Sequence, residues 1–296
     1  MKYLCMITGC LLTMISPACK KDKASKPASP SGEQSISLMS YNILHAKKET
    51  RPGYLWGDPD DRKDRVIALL KKYNPDILCA QEDMYIQGQY IKQNTGLGKS
   101  GLSRDAGTPT GTNGEFDAVY YNKERFTPKK WGHFWLSLTP DKVSIGWDAS
   151  VQRICNWVLL ADKNTGSSFY VFNTHLDNVG KQSRIHSAAL ILDSIKAIVK
   201  GYPVVLTGDM NTTPQSTGSM EYRAILKSSR DISATAPEGP SATFNGGDGR
   251  VPKETIDYVY VSSGVDVLTY GVLTDSTKNG LFPSDHFPVL TKMKMK

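Results

Sequence analysis

The sequence predicts an α+β fold, two packed β-sheets covered by helices, and three observations lead to it. Short runs rich in β-branched and aromatic residues recur along the chain and stop at Gly, Asn, Asp or Pro, as strands joined by tight connections do. Some of these runs, such as Pro203-Val204-Val205-Leu206-Thr207, are apolar on both faces, which is expected of a strand buried on both sides. Only a few stretches carry helical spacing, enough to cover sheets and too few to build the core alone.

In chain order, Ser35 to Ile43 alternates polar and apolar residues and reads as a strand with Asn42 near its end. Gly53 to Asp61 is a loop carrying Tyr54 and Trp56. The stripe Val66, Ile67, Leu69, Leu70 and Tyr73 predicts a helix over 62–73, ended by Asn74-Pro75. Asp76 to Glu82 is a strand that finishes on a carboxylate. Gly88 to Gly114 is rich in Gly, Thr and Lys and reads as a long loop. Phe116–Tyr121 is a strand, Phe126–Leu138 a strand pair, and Thr139–Ser150 a loop with Trp147. Val151–Ala161 and Ser168–His175 are strands joined through Asn164-Thr165-Gly166. Arg184–Val199 is a helix with Ile185, Ala188, Leu192 and Ile195 on one face, and Met220–Leu226 is a short one. Ser228 to Gly249 reads as loop, followed by strands at Thr255–Val261 and Val265–Leu273 and a last strand beginning at Ser284.

The leader is set apart by composition. Met1-Lys2 precedes an apolar segment, Tyr3 to Ile15, that is too short to span a bilayer and fits an export signal. Ser16-Pro17-Ala18-Cys19 resembles a bacterial lipoprotein signal, with Cys19 as the lipidated first residue after cleavage; ordinary secretion is the alternative. Residues 1–18 are therefore expected to be a signal peptide and 19–33 a lipid-anchored flexible tether. With no internal repeat and no second linker, residues 34–296 form one domain of an exported protein. Its only expected membrane contact is the N-terminal lipid, and the expected state is a monomer.

Charge narrows the partners without choosing one. The formal net charge is +7, but five lysines against Asp22 and Glu33 give the leader +3, which leaves +4 for the domain. Cys79 and Cys155 sit within apolar runs and read as buried thiols, and no Cys/His spacing indicates structural zinc. There is no P-loop, dinucleotide fingerprint or nucleophilic Ser or Cys motif.

Polar groups recur at strand ends instead: Asn42, Glu82, His175, Asp209 with Asn211, Asp257, and Asp285 with His286. Each alone has a structural use as a cap, turn or satisfied core residue. Together they form a consistent chemical set. Glu82 and Asp285 are hard oxygen donors suited to Mg²⁺ or Mn²⁺, and two histidines with a supporting aspartate make an acid/base pair near neutrality. Metal-assisted attack of water on a phosphorus ester fits them best.

The order of the motifs carries a resemblance. Ser40-Tyr41-Asn42, Gln81-Glu82, Asn173-Thr174-His175-Leu176-Asp177, Gly208-Asp209-Met210-Asn211, Ile256-Asp257-Tyr258 and Ser284-Asp285-His286-Phe287-Pro288 resemble the endonuclease/exonuclease/phosphatase superfamily. That resemblance implies a deoxyribonuclease-like, four-layer α/β/β/α sandwich of two mostly antiparallel sheets. It implies Glu82 as the principal metal ligand, with Asn42 and Asp285 beside the ion or its waters, and Mg²⁺ or Mn²⁺ as cofactor. It implies that Asp209 orients or deprotonates water, Asn211 holds a phosphate oxygen, His286 pairs with Asp257, and His175 serves the leaving side; Asp209 and His286 both remain candidates for the base. Arg153 is added as a phosphate contact, with a surface salt bridge as its other reading.

The expected activity is hydrolysis of a phosphodiester or phosphomonoester, with nucleic acid (RNA or DNA) as the first substrate considered. A sphingomyelinase- or phospholipase-C-like enzyme and an inositol or sugar phosphatase are the alternatives. An inactive cell-surface binding protein on the same fold is the reading from another class, and it is weakened because no member of the polar set is missing. Trp56, Trp135 and Trp147 are available for stacking on a base or sugar, with core or loop packing the commoner use.

Overall fold

Pleat alternation decides which residues of this chain meet. The computed structural model describes residues 35–46, 53–57, 62–108, 111, 114–247 and 254–296; Cys19, the signal segment and the tether lie outside them. Strand β1 (Ile36–Asn42) turns Leu38 toward a second sheet and Met39 and Tyr41 toward helices. Helix α1 (Arg62–Tyr73) crosses to β2 (Ile77–Met84), which pairs parallel with β1. Helix α2 (Tyr85–Thr95), β3 (Gly98–Ser100) and β4 (Glu115–Tyr121) follow.

The chain then builds the second sheet. Strands β5 (Phe126–Trp135), β6 (Ile154–Asp162) and β7 (Ser168–His175) form an antiparallel meander. Helix α3 (Lys181–Ile198) crosses to β8 (Val204–Asp209), parallel to β7. Helix α4 (Thr217–Ile225), β9 (Lys227–Ser228) and β10 (Asp257–Val261) complete that sheet, while β11 (Val265–Val272) and β12 (Val289–Met295) return to the first. The strand orders are β11-β12-β1-β2-β4-β3 and β5-β6-β7-β8-β10-β9, each mostly antiparallel with one parallel pair at its centre. A parallel pair needs a crossover, and α1 and α3 supply one each.

Leu38, Cys79 and Val119 of one sheet pack on Val158, Val171 and Val205 of the other. Val66, Leu70 and Ile91 cover Tyr41 and Leu78 on one outer face; Ile191, Leu192 and Tyr222 cover Phe172 and Leu206 on the other. Each such side chain, fully buried, contributes about 1.5–3 kcal/mol. The result is the expected four-layer α/β/β/α sandwich, with Cys79 and Cys155 as buried free thiols.

Four expectations need correction. Helix α2 and strand β3 occupy much of the stretch read as loop over 88–114. The buried face of α2 carries Gln87, Gly88 and Ile91 rather than an apolar stripe, so no helical period is visible. Phe126–Leu138 is not a strand pair but one strand with a bulge between Pro128 and Lys130; Gly132, which looks like a turn, leaves room for the Trp157 ring. Helix α3 starts at Lys181 rather than Arg184, because Asp148, from another loop, accepts the Gln182 and Ser183 N–H groups at 3.1 and 2.6 Å. The last strand begins at Val289, and Ser284–Pro288 is the turn before it.

Candidate active site

Both parallel pairs point their carboxyl ends to one end of the sandwich. There β1 ends on Asn42, β7 on His175 and β8 on Asp209, and Asp257 starts β10 in register with Asp209. The face between the sheets changes from apolar to polar toward that end, through Leu38, Ser40 and Asn42 in β1 and Val171, Asn173 and His175 in β7. Below the site a buried hydrogen-bonded floor ties the sheets together. Gln81 Nε2 donates to Asn173 Oδ1 at 2.7 Å, Thr207 Oγ1 donates to the same oxygen at 3.1 Å, and Asn173 Nδ2 donates to the Ala80 and Ala118 carbonyls at 2.9 Å. Such a network fixes the relative position of two sheets that apolar packing alone would let slide.

Glu82 is out of phase with this face. Simple alternation would send it the opposite way from Gln81, toward the helices. A bulge between Ala80 and Asp83, with Glu82 at φ 57°, turns it into the cleft instead. A left-handed non-glycine residue persists only where its surroundings hold it. Here Asp83 Oδ2, fully buried, meets Lys99 Nζ at 2.7 Å and accepts the Tyr120 hydroxyl at 2.6 Å. Gln87 Oε1 accepts from Met84 N and Ala46 N at 3.2 and 3.0 Å, while its Nε2 donates to the Leu44 carbonyl at 2.9 Å. The Glu82 carboxylate accepts from His45 N at 2.8 Å and from Asn42 Nδ2 at 3.3 Å.

Asn42 is a donor hub. Its Oδ1 accepts the Leu44 N–H at 3.0 Å, which orients the amide, and Nδ2 donates to Asp209 Oδ2 at 3.0 Å. His286 Nδ1 lies 2.9 Å from Asp257 Oδ2, and its Nε2 lies 3.7 Å from Asp209 Oδ2. Ser284 Oγ donates to the Asn42 carbonyl at 2.7 Å and accepts the His286 N–H at 3.2 Å, joining the turn before β12 to β1. His175 Nε2 sits 3.4 Å from Asp209 Oδ2 and 3.0 Å from Asn211 Nδ2. Asn211 Nδ2 also donates to the Leu176 carbonyl at 2.9 Å, which fixes the amide beside His175. Burial and then the Asp257 charge push the Asp209 carboxyl up to about 7, against the pull of His286 and Asn42. Burial alone would lower the His286 pKa, but the Asp257 and Asp209 charges and the Asp257 hydrogen bond raise it well above the usual range.

Arg153 is not on the surface. It is buried in the cleft wall with Nε 3.3 Å from Asp177 Oδ2 and Nη2 3.3 Å from Asn178 Oδ1. Asp177 also accepts from Ser150 Oγ at 2.8 Å and Gly180 N at 2.7 Å. The cleft encloses about 450 Å³ and brings Glu82, Arg153, His175, Asp209, Asn211, Asp285 and His286 together. It also holds groups that sequence reasoning missed: Arg104, Glu115, Phe244 and Glu254. Phe244 packs edge-on against the His286 ring at 5.0 Å, and Arg104 Nη2 pairs with Glu115 Oε1 at 2.8 Å. The tryptophans serve packing: Trp56 is buried against Tyr90, Trp135 donates to the Arg104 carbonyl, and Trp147 stacks on His186.

Among the described residues of the cleft, two sets of groups can hold a cation. Asp209, Asp257 and His286 present ligand atoms within 4.8 Å of one another. His286 Nδ1 is engaged with Asp257 Oδ2 at 2.9 Å, so the ring's Nε2, which faces Asp209 Oδ2 at 3.7 Å, is the nitrogen left for an ion. Glu82 and Asp285 both line the cleft with carboxylate oxygens, and Asn42 stands beside Glu82. Hard carboxylate oxygens with room for waters fit Mg²⁺ or Mn²⁺ better than an imidazole cluster does.

Residues 39–286 match the model of the endonuclease/exonuclease/phosphatase family. A family protein from Bacteroides thetaiotaomicron is 32% identical, with a TM-score of 0.81 over 90% of this chain and 99% of its own. A mannosyl-6-phosphatase from the same organism is 33% identical, with a TM-score of 0.79 over 87% of this chain and 99% of its own. Protein angel of Drosophila melanogaster is 26% identical over 216 residues, 70% of this chain and 60% of angel. With the family match running from β1 to His286 and the fold shared along nearly the full length of its bacterial relatives, the chain belongs to the endonuclease/exonuclease/phosphatase family of phosphoester hydrolases.

Proposed function

We propose that the chain is a Mg²⁺- or Mn²⁺-dependent phosphoesterase in which one parallel pair of strands holds the cation and the other handles protons. The observation that carries this reading is the convergence on Asp209 Oδ2 of Asn42, His175 and His286 in a cleft that also exposes Glu82 and Asp285. Glu82 and Asp285 would hold the ion, with Asn42 orienting Glu82. A divalent cation there would offset charge on phosphoryl oxygens and acidify water. Asp209, facing both histidine Nε2 atoms, takes the proton of the attacking water. His286, held by Asp257, carries positive charge to the phosphoryl group, and His175, steadied by Asn211, serves the leaving oxygen.

A small ester suits the cleft better than a polynucleotide. Among the described residues, Glu82, Glu115, Glu254 and Asp285 line it, and its cationic lining is Arg104 and Arg153 rather than a basic stripe along a phosphate backbone. The similarity to a mannosyl-6-phosphatase supports a sugar phosphate. The test is a hydrolysis panel with Mg²⁺, Mn²⁺ or EDTA: sugar phosphates, inositol phosphates, sphingomyelin, single-stranded RNA and plasmid DNA. Cation-dependent turnover, abolished in Glu82→Ala, is expected, greatest on a small ester. Turnover that survives both EDTA and Glu82→Ala contradicts the assignment.

Export and lipid anchoring through Cys19 belong to the same reading, which places the enzyme where it meets extracellular esters. Cys19→Ala should shift the protein from the membrane to the soluble fraction on expression in a bacterium. Equal partitioning of both forms counts against the anchor.

A further inference from the structure

Two guanidinium groups stand in the cleft wall with hydrogen-bonding capacity to spare. Arg104 and Arg153 are both more than nine-tenths buried, and both line the cleft with the catalytic residues. Glu115 holds Arg104 Nη2, while Asp177 and Asn178 hold Arg153 Nε and Nη2. Arg104 Nε and Arg153 Nη1 find no hydrogen-bond partner among the described residues, and the acid beside Arg104 Nε, Asp105 Oδ2, is 3.8 Å away. The two are close enough for the Arg104 charge to lower the Arg153 pKa, after burial itself. Asp117 lies near both guanidiniums and near the His175 backbone, which places the pair beside the His175 end of the site. A buried N–H group left without an acceptor favours any rearrangement that brings it one.

We propose that Arg104 and Arg153 together seat the free oxygen of a terminal phosphoryl group, making the chain a phosphomonoesterase. This rests on the phosphoesterase reading above and names its substrate class. A monoester presents three non-bridging oxygens and close to two negative charges at neutral pH; a diester presents two and one. Five carboxylates share the lining, so a dianion depends on the hydrogen-bond donors of Arg104 and Arg153 more than a diester does. In a diester the oxygen that would face the arginines carries carbon and no charge.

The full chain is assayed in Mn²⁺ on p-nitrophenyl phosphate and bis-p-nitrophenyl phosphate, beside Arg104→Lys and Arg153→Lys. Lysine keeps the charge opposite Glu115 and Asp177 and removes the planar fork. The wild type is expected to favour the monoester in kcat/KM by at least about tenfold. Each variant should lower monoester kcat/KM by roughly 10- to 100-fold, lower the diester value much less, and weaken competitive inhibition by inorganic phosphate in parallel. A wild-type preference for the diester, or an equal fall for both esters, overturns the inference and leaves the phosphoesterase reading standing. No turnover of either ester overturns both. If a variant does not fold, the wild-type ratio and phosphate inhibition decide.

Discussion

The two parallel strand pairs sit at the centres of their sheets and are crossed by one helix each, yet they deliver functional groups in different ways. In the β7–β8 pair, His175 and Asp209 follow the pleat, continuing the face that Val171 and Val205 begin. In the β1–β2 pair, Asn42 follows the pleat but Glu82 does not, and a left-handed residue in a bulge is needed to aim it. That conformation stores about 1–3 kcal/mol, held by the buried Asp83–Lys99 pair and by Gln87. The proposed proton-handling groups thus stand on regular strands, and the proposed cation ligand on a backbone that other buried polar groups must hold in place.

The largest expected effect breaks the regular side. Asp209→Asn and His286→Ala should each lower kcat by about two to four orders of magnitude while leaving the melting temperature within a few degrees, read by steady-state kinetics and calorimetry. Loss of folding in both would make them structural residues instead. Lys99→Met tests the strained side. It leaves Asp83 buried without its cation and should cost about 3–5 kcal/mol in urea unfolding, and it should weaken divalent-cation affinity through the Glu82 bulge. Unchanged cation affinity in a folded Lys99→Met protein would separate the pair from the site.

Gly208→Ala probes the regular side for strain of its own. Gly208 has φ 153°, and an added Cβ would fall 2.0 Å from the Thr174 carbonyl oxygen, so β7 and β8 would have to part. A loss of about 2–3 kcal/mol is expected in the same unfolding assay, with His175 and Asp209 displaced and activity reduced. The smallest effect concerns pH. Burial would raise the Asp177 carboxyl, but the Gly180 N–H, the Ser150 hydroxyl and Arg153 bring it down to about 2. Its stabilisation is therefore complete above the ordinary aspartate value of about 4 and is lost as pH falls through about 2. Asp177→Asn should flatten stability over that acid window relative to wild type, measured by thermal unfolding.

Much of the site was legible because strand ends are marked in sequence by Gly, Asn, Asp and His after apolar runs, and Asn42, His175, Asp209 and Asp257 all stand there. The helical crossings α1 and α3 show their apolar stripes for the same reason. Glu82 was found by its position after an apolar run, but its direction was not readable, since pleat parity points it away from the cleft. The floor residues Gln81 and Asn173 had a signal that went unused, both being polar at positions whose phase faces the other sheet. Helix α2 had none, because Gln87 and Gly88 face inward to serve polar groups rather than apolar ones. Arg104 lies on an irregular segment with no period to place it, and only the tertiary fold brings it beside Arg153.

The division of labour between the two pairs is tested most directly by titrating Mn²⁺ into the full chain, Glu82→Gln and Asp209→Asn, with calorimetry as the readout. Wild type and Asp209→Asn are expected to bind with affinities within about tenfold of each other, and Glu82→Gln to lose binding by two orders of magnitude or more. Binding kept in Glu82→Gln and lost in Asp209→Asn would place the cation at Asp209, Asp257 and His286 and contradict the assignment of the two halves.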